Sequence, residues 1–279
     1  MLDPATRLRD ACFVAFDLET TGLVPGPCRI VEFGATRFAL EGRELASFQS
    51  LVDPETPIPG EATGIHGITN QMVRGQPPVA EVLPPFLDFL GARPAVLLAH
   101  NAPFDLGFLE YAVLETRTPC PDYDVIDTLE LARRCLPGHM RYTLDELASR
   151  LGASHHEAHR ALGDARRVAA VFRAIVARSP RLETVGDLCR TVTPQQIAVP
   201  LSRVPPHQAC QLLRSAICES RTVVIVYQSR TGGRTERRIT PKSLAASGRR
   251  LYLVAYCHTD GMEKTFRLDR IHDLRIEDP

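Results

Sequence analysis

The sequence predicts an α/β domain with a mixed sheet flanked by helices, followed by a smaller, mostly-β domain. Three observations predict it. Strand-like segments lead into alternating helix and strand signals, the pattern of an α/β layer structure. Residues 178 to 206 then carry five prolines, at 180, 194, 200, 205 and 206, which reads as a linker region with some local structure. Charge also divides at that point. Residues 1 to 199 hold 19 basic and 25 acidic side chains, a net of −6, and residues 200 to 279 hold 14 basic and 8 acidic, a net of +6. An acidic segment joined to a basic one indicates two modules. The expected division is a domain over 1–178, a linker over 179–206 and a second domain over 207–279.

Three strands open the chain: CFVAFDL (12–18), IVEFGATRFAL (30–40) and ELASFQSLV (44–52). Glu41-Gly42 is short enough to make the last two a hairpin. A loop rich in Pro and Gly is expected from Asp53 to Pro78, then a helix around 79–90 and a short apolar strand, AVLLAH (95–100). In PFDLGFLEYAVLE (103–115), Pro103 sits where a first helical turn accepts it, and Leu106, Leu109 and Val113 keep helical spacing. Asp127 reads as the N-cap of a helix TLELARRC. Thr143 and Glu146 have capping-box spacing at the head of a helix ending at Leu151. The last helix of the module is expected over His159–Ala177, with Leu162, Ala165, Ala169, Phe172 and Val176 as its apolar stripe. Beyond the linker, QACQLLRSAI (208–217) reads as a helix. TVVIVYQ, RRITPKSL, RRLYLVAYC and KTFRLDRI read as four short strands.

Composition excludes several classes. The 44% hydrophobic and 24% charged fractions are ordinary for a globular protein. No apolar run approaches the ~20 residues needed to span a bilayer, and MLDPATRLRDA lacks a signal-peptide core. A cytoplasmic protein with no membrane partner is expected. None of the 8 cysteines forms a CxxC pair, so a zinc ribbon is not indicated and the thiols read as core residues. Only 2 of the 33 basic residues are lysine, a compositional bias rather than chemistry.

The chemistry lies in three acidic stretches: FDLETTGL (16–23), HNAPFD (100–105) and HRALGDA (159–165). Asp17 and Glu19 interrupt an apolar strand, and at i and i+2 they leave the same face. Asp105 follows a strand end, where α/β sheets place their sites. Asp164 lies on a helix able to pack across the sheet. Buried carboxylates cost free energy unless neutralised. Hard divalent cations supply that neutralisation, and two such ions about 3.5–4 Å apart form a site for in-line phosphodiester cleavage. His159, titrating near neutrality, is placed to take a proton from water.

Taken in order, these stretches resemble the three motifs of the DEDDh 3′-to-5′ exonucleases, the family that includes the proofreading epsilon subunit of bacterial DNA polymerase III. The resemblance covers about residues 10–178. It implies an RNase H-like fold, metal ligation by Asp17, Glu19, Asp105 and Asp164, and His159 as general base. The cofactors implied are two divalent cations, Mg²⁺ or Mn²⁺. Thr20 and Leu23 fall where the family holds the 3′-terminal nucleotide. TGIHGIT resembles its loop near the terminal base, which makes His66 a stacking candidate. Asn101 and Phe104 lie in the second motif as substrate contacts. Beside these stand plainer readings: His100 as a core histidine, His155 and His156 on a solvated loop, Asp127 as a helix cap and Asn101 as a turn former.

From about residue 207, IVYQSR, RRITPKSL, LYLVAYC and FRLDRI resemble a WYL domain in which Leu251-Tyr252-Leu253 replaces the named Trp-Tyr-Leu. The resemblance implies a small SH3- or Sm-like β-fold that binds nucleic acid or another anionic ligand. Its candidate residues are Tyr252, Arg267 and Arg270, with Arg237 or Arg238 as additions. In a straight strand Arg267 and Arg270 face opposite sides. The expected function is removal of nucleotides from the 3′ end of DNA, single-stranded, in proofreading or repair, with a polymerase or repair protein as partner. Two alternatives stay open: RNA trimming, and a non-catalytic regulatory protein acting through the second domain.

Overall fold

The structure is a computed structural model that describes residues 3–91, 95–121, 123–138, 141–153, 159–196, 213, 216–217, 219–228, 233–247 and 250–276 of the 279. It contains two compact units, one built from the described residues of 3–23, 28–109 and 118–196, the other from 24–27, 110–117 and the described residues of 213–276.

The first unit holds a six-stranded mixed sheet. Its strands are β1 (Cys12–Thr20), β2 (Ile30–Ala39), β3 (Glu44–Leu51), β4 (Val96–Ala99), β5 (Asp124–Asp127) and β6 (Gln195–Gln196), in the order β3-β2-β1-β4-β5-β6. β1, β2 and β3 pair antiparallel, β4 and β5 continue parallel to β1, and β6 closes antiparallel on β5. The helices are α1 (Gly60–His66), α2 (Asn70–Val73), α3 (Val79–Gly91), α4 (Pro103–Thr116), α5 (Thr128–Cys135), α6 (Leu144–Leu151), α7 (Ala161–Ala177) and α8 (Val185–Thr191).

Alternation along β1 sorts its side chains between two layers. Phe16 meets Phe86 of α3 with ring centroids 6.1 Å apart. Phe13 points the other way and meets Phe172 of α7 at 4.9 Å. Asp17 and Glu19 share parity with Phe13, so they continue the α7 face of the strand. Four residues of strand, Phe13 to Asp17, rise ~13 Å. Eight residues of helix, Asp164 to Phe172, rise ~12 Å. The two lengths match, so a helix running antiparallel over β1 sets Asp164 near Asp17 as it sets Phe172 on Phe13. The core on this face includes Leu98, Leu131, Leu147, Val168, Val171, Phe172 and Ile175.

Several elements depart from the sequence reading. The expected loop over 53–78 contains α1 and α2, whose apolar sides bury Ile58, Ala62, Ile68 and Val73 beside Val31. The short strand β5 was not expected. Residues 179–196, read as the start of a linker, include α8, and Leu182, Val185, Leu188 and Val192 join the core of the first unit. Here Thr184 and Asp187 form a complete capping box. At α6, Thr143 accepts the Glu146 N–H at 3.4 Å, but the Glu146 carboxylate pairs with Arg150 instead. The helix expected from His159 is α7, and it begins at Ala161. His159 lies outside it with φ +61°.

The second unit is an antiparallel sheet of β7 (Val223–Gln228), β8 (Arg234–Ser247), β9 (Arg250–Cys257), β10 (Met262–Arg267) and β11 (Ile271–Ile276), ordered β10-β9-β8-β7-β11. Five strands replace the four expected. FRLDRI is broken by a 3-10 turn, Leu268–Arg270, and the chain then turns back to pair beside β7. Val223, Ile225, Ile239, Leu253, Ala255, Phe266 and Leu274 form its core. The helix expected over 208–217 lies largely outside the described residues, as do residues 197–206 of the linker. No helix among the described residues is long and apolar enough to cross a membrane.

Candidate metal and catalytic centre

Asp17, Glu19 and Asp164 each offer a carboxylate oxygen, and these atoms lie within 4.8 Å of one another. β1 supplies the first two and the first turn of α7 the third. Asp105 lies beside that group rather than within it. β1 runs on past the last residue of β4, and Asp105, in the first turn of α4, takes the backbone position left open. Its Oδ1 accepts the Leu18 N–H at 3.1 Å, between Asp17 and Glu19. Thus three of the four expected carboxylates share one space, and the fourth is locked beside it, 2% exposed.

Electrostatics show how crowded the cluster is. Burial, then the charges of Asp105, Glu19, Asp164 and Glu32, push the Asp17 carboxyl well above the usual carboxylate range. Burial also raises Asp105 strongly, and hydrogen bonds from its own and the Leu18 N–H only partly oppose this. Glu19 is pushed up to about 8, by burial first and Asp164 next. Asp164 is raised by burial, against the pull of Arg167. Such a set of crowded, partly desolvated oxygens fits a hard divalent cation, which would replace the protons the site otherwise retains.

The first turn of α7 is seated by residues absent from the sequence expectation. Glu32 faces Glu19 across the β1–β2 ladder and is fully buried. Its carboxylate accepts from Arg160 Nε at 3.0 Å and Nη2 at 2.5 Å, from the Ala161 N–H at 3.0 Å and from Gln49 at 2.9 Å. A carboxylate on the first N–H groups of a helix is favourable twice, by hydrogen bond and by dipole. Next on that strand face is Gly34, paired with Asp17, where a Cβ would lie 2.1 Å from the Ala161 carbonyl carbon. The glycine is what lets α7 touch the sheet. Glu32 carried the same signal as Asp17 and Glu19, an acid inside an apolar strand. Arg167, 4% exposed, carried none: it bonds Asp164 Oδ1 at 2.7 Å and pairs with Asp145 of α6.

The remaining expected residues divide. His159 is exposed, and its N–H donates to Asp164 Oδ1 at 3.4 Å, so the two are tied. Thr20 is buried at the end of β1, its hydroxyl donating to the Gly22 carbonyl at 2.7 Å. Leu23 is 78% exposed beyond it. His66 does not present a stacking face, because it is only 4% exposed. Its Nδ1 accepts the Ile68 N–H at 2.9 Å, closing α1 through left-handed Gly67. Nε2 therefore carries the proton, buried and with no hydrogen-bond partner among the described residues, and burial lowers the pKa of the ring. The neighbour that does face solvent is Ile65, 64% exposed. Asn101 acts as a turn former, in left-handed conformation at φ +62°, its N–H on Asp127 Oδ1 at 3.0 Å, while its side chain stays exposed. Asp127 also caps α5 through Leu129 N–H at 2.9 Å. Phe104 is half-buried against Phe108 at 5.1 Å. His100 bridges Thr128 and the Tyr142 carbonyl, at 3.1 and 2.9 Å, as a structural histidine does. His155 and His156 lie outside the described residues.

In the second unit Tyr252 and Arg267 are direct cross-strand neighbours on the face opposite Leu253 and Phe266. Arg270 belongs to the 3-10 turn rather than a straight strand, so strand alternation does not separate it from Arg267. Arg237 is paired with Asp260, whereas Arg238 is exposed.

Comparison with known proteins agrees with this geometry. A family described as Exonuclease (RNase T) matches residues 14–172, and the WYL domain matches residues 208–276. The DNA polymerase III subunit epsilon of Treponema pallidum is 37% identical over 167 residues, 59% of this chain and 76% of that protein. The PolC-type DNA polymerase III of Latilactobacillus sakei is 41% identical over 160 residues, 57% of this chain. The chain spans only 11% of that protein's length and 14% of its Clostridium perfringens counterpart. Escherichia coli Exonuclease I, solved with a dA16 oligonucleotide, has the same fold, with a TM-score of 0.56 and 19% identity over 88% of this chain and 55% of that one. Since the family match covers more than half of the chain, and the epsilon subunit aligns over three quarters of its own length, the chain belongs to the exonuclease family.

Proposed function

We propose that the chain is a metal-dependent 3′-to-5′ exonuclease that removes nucleotides from the 3′ end of single-stranded DNA, in proofreading or repair. The observation that carries this is the meeting of Asp17, Glu19 and Asp164 within 4.8 Å, with Asp105 locked alongside. The four carboxylates would hold two divalent cations, Mg²⁺ or Mn²⁺, which would supply polarisation of the phosphodiester and a lowered pKa for water. Asp105 and the Leu18 backbone fix β1 so that Asp17 and Glu19 keep their aim. His159, exposed at the head of α7, takes the proton of the attacking water on a ring nitrogen. Thr20 and Leu23 hold the terminal nucleotide, Leu23 presenting an apolar surface to a base. The relatives named above are DNA polymerase III proteins, which favours DNA over RNA and a polymerase or repair partner.

The catalytic domain in this reading extends to about residue 196, and residues 207–279 form the WYL domain. Tyr252, Arg267 and Arg270 of the +6 segment hold a phosphate backbone close to a −6 nuclease that repels it. Replacing Tyr252 and Arg267 together by Ala raises KM and flattens its salt dependence. A double variant indistinguishable from wild type in both would remove that role.

The deciding experiment is a gel of 5′-labelled single strands, DNA and RNA, with Mg²⁺, Mn²⁺ or EDTA, beside Asp164→Asn. A metal-dependent ladder shortening from the 3′ end, lost in the variant, is expected. Faster decay of RNA would reassign the substrate. No ladder with either metal would leave a binding protein.

A further inference from the structure

Resting on the exonuclease reading, we propose that Arg167 is a positioning residue for the carboxylate centre, one arm of its guanidinium fixing Asp164 while the other anchors to α6 through Asp145. The geometry is a fork. Nη1 donates to Asp164 Oδ1 at 2.7 Å, and Nη2 donates to Asp145 Oδ1. The His159 N–H reaches the same Asp164 oxygen at 3.4 Å. With Oδ1 occupied twice, Oδ2 takes no hydrogen bond among the described residues and is the oxygen left to a cation.

A structural role alone does not account for the residue. α7 is buried along most of its first half, with Ala161, Leu162, Ala165, Val168 and Ala169 all buried. In such surroundings an apolar side chain serves stability as well as a buried ion pair, or better. A cation beside a cation site also weakens binding by plain repulsion. What the guanidinium adds is direction: a planar group with two separate donors fixes one carboxylate against another, which a lysine cannot do. Asp145 lies in the first turn of α6, its side chain 61% exposed, so the outer end of the fork is solvated and only the inner end meets the centre.

The test uses the full chain and measures Mn²⁺ binding by calorimetry without nucleic acid, alongside cleavage kinetics. Arg167→Met is expected to raise the Mn²⁺ Kd at least tenfold and to lower kcat on the order of a hundredfold, with KM moving less than about threefold. Arg167→Lys restores part of both. Asp145→Asn shifts both in the same direction by a smaller factor. A folded Arg167→Met that binds Mn²⁺ as well as wild type, or more tightly, would overturn the proposal, because repulsion would then outweigh orientation. If Arg167→Met does not fold, Asp145→Asn decides, and an unchanged Kd overturns it. A wild type that binds Mn²⁺ but does not cleave would refute the exonuclease reading and leave the binding comparison intact.

Discussion

Replacing Gly34 by Ala tests how α7 is seated. Gly34 is not among the left-handed glycines, so the added methyl brings no backbone strain and the effect is one of packing. That methyl would lie 2.1 Å from both the Ala161 carbonyl carbon and the Leu162 nitrogen, where ordinary contact begins at 3.4 Å. Both neighbours are backbone, so no rotamer relieves the overlap and the first helical turn must retreat by roughly 1.3 Å. Asp164 rides on that turn, two residues beyond Leu162, and the 3.0 Å bond from the Ala161 N–H to Glu32 lengthens with it. A displacement of about 1 Å in a reacting group costs on the order of a hundredfold in rate. Overpacking adds roughly 1–3 kcal/mol of destabilisation, a fall of several degrees in Tm for a unit of this size. The assay is turnover of a 5′-labelled single strand at saturating Mn²⁺, with Tm from circular dichroism. Activity within threefold of wild type at an unchanged Tm would show that α7 does not touch β2 there.

Other outcomes follow from the same structure. Glu19, raised from 4.5 to about 8, destabilises the metal-free fold as pH climbs through that interval, because the folded state holds the proton more tightly than the unfolded one. Glu19→Gln should therefore raise the Tm of EDTA-treated protein at pH 8.5 and leave it unchanged at pH 4. The gain should be on the order of 2 kcal/mol, below the ~5 kcal/mol of the whole shift, because Asp17 shares the titration. Equal Tm differences at both pH values would discount the crowding. A chain ending at residue 178 loses Leu182, Val185, Leu188 and Val192 from the core, roughly 6–12 kcal/mol of burial, comparable with a whole domain's stability. It should be insoluble, whereas one ending at 197 should fold; two soluble, cooperative products would return α8 to the linker. Thr184→Ala, which breaks the capping box, should cost about 1 kcal/mol in urea denaturation with kcat unchanged, and a change in kcat would contradict its purely structural place.

The carboxylates of the cluster were legible because each breaks a local rule. Asp17 and Glu19 put charge in a strand, and the strand period alone put them on one side. What joins them came only with the fold. Glu32 and Gly34 matter through a helix more than a hundred residues away, and nothing local marks that distance. Arg167 looks like any arginine of a helix until α7 proves buried on nearly every side. His66 was misjudged because its loop folds into α1, and Gly67 turns the ring inward. β5 escaped notice as four residues whose last member, Asp127, read as a helix cap, which it also is. The fifth strand of the second unit was hidden by FRLDRI, an apparently continuous strand broken by a 3-10 turn.

The equal rise of β1 and α7 has a consequence for how such a chain can change. One residue inserted between Asp164 and Phe172 would turn the carboxylate by about 100° around the helix axis, and a deletion would do the same in the opposite sense. One residue inserted between Phe13 and Asp17 would send Asp17 through to the α3 side of the sheet. Both spans are therefore closed to changes of length, and lineages can explore them only by substitution. Length changes should be tolerated only in the connections at either end, so the distance from anchor to acid works as a fixed gauge built into the fold.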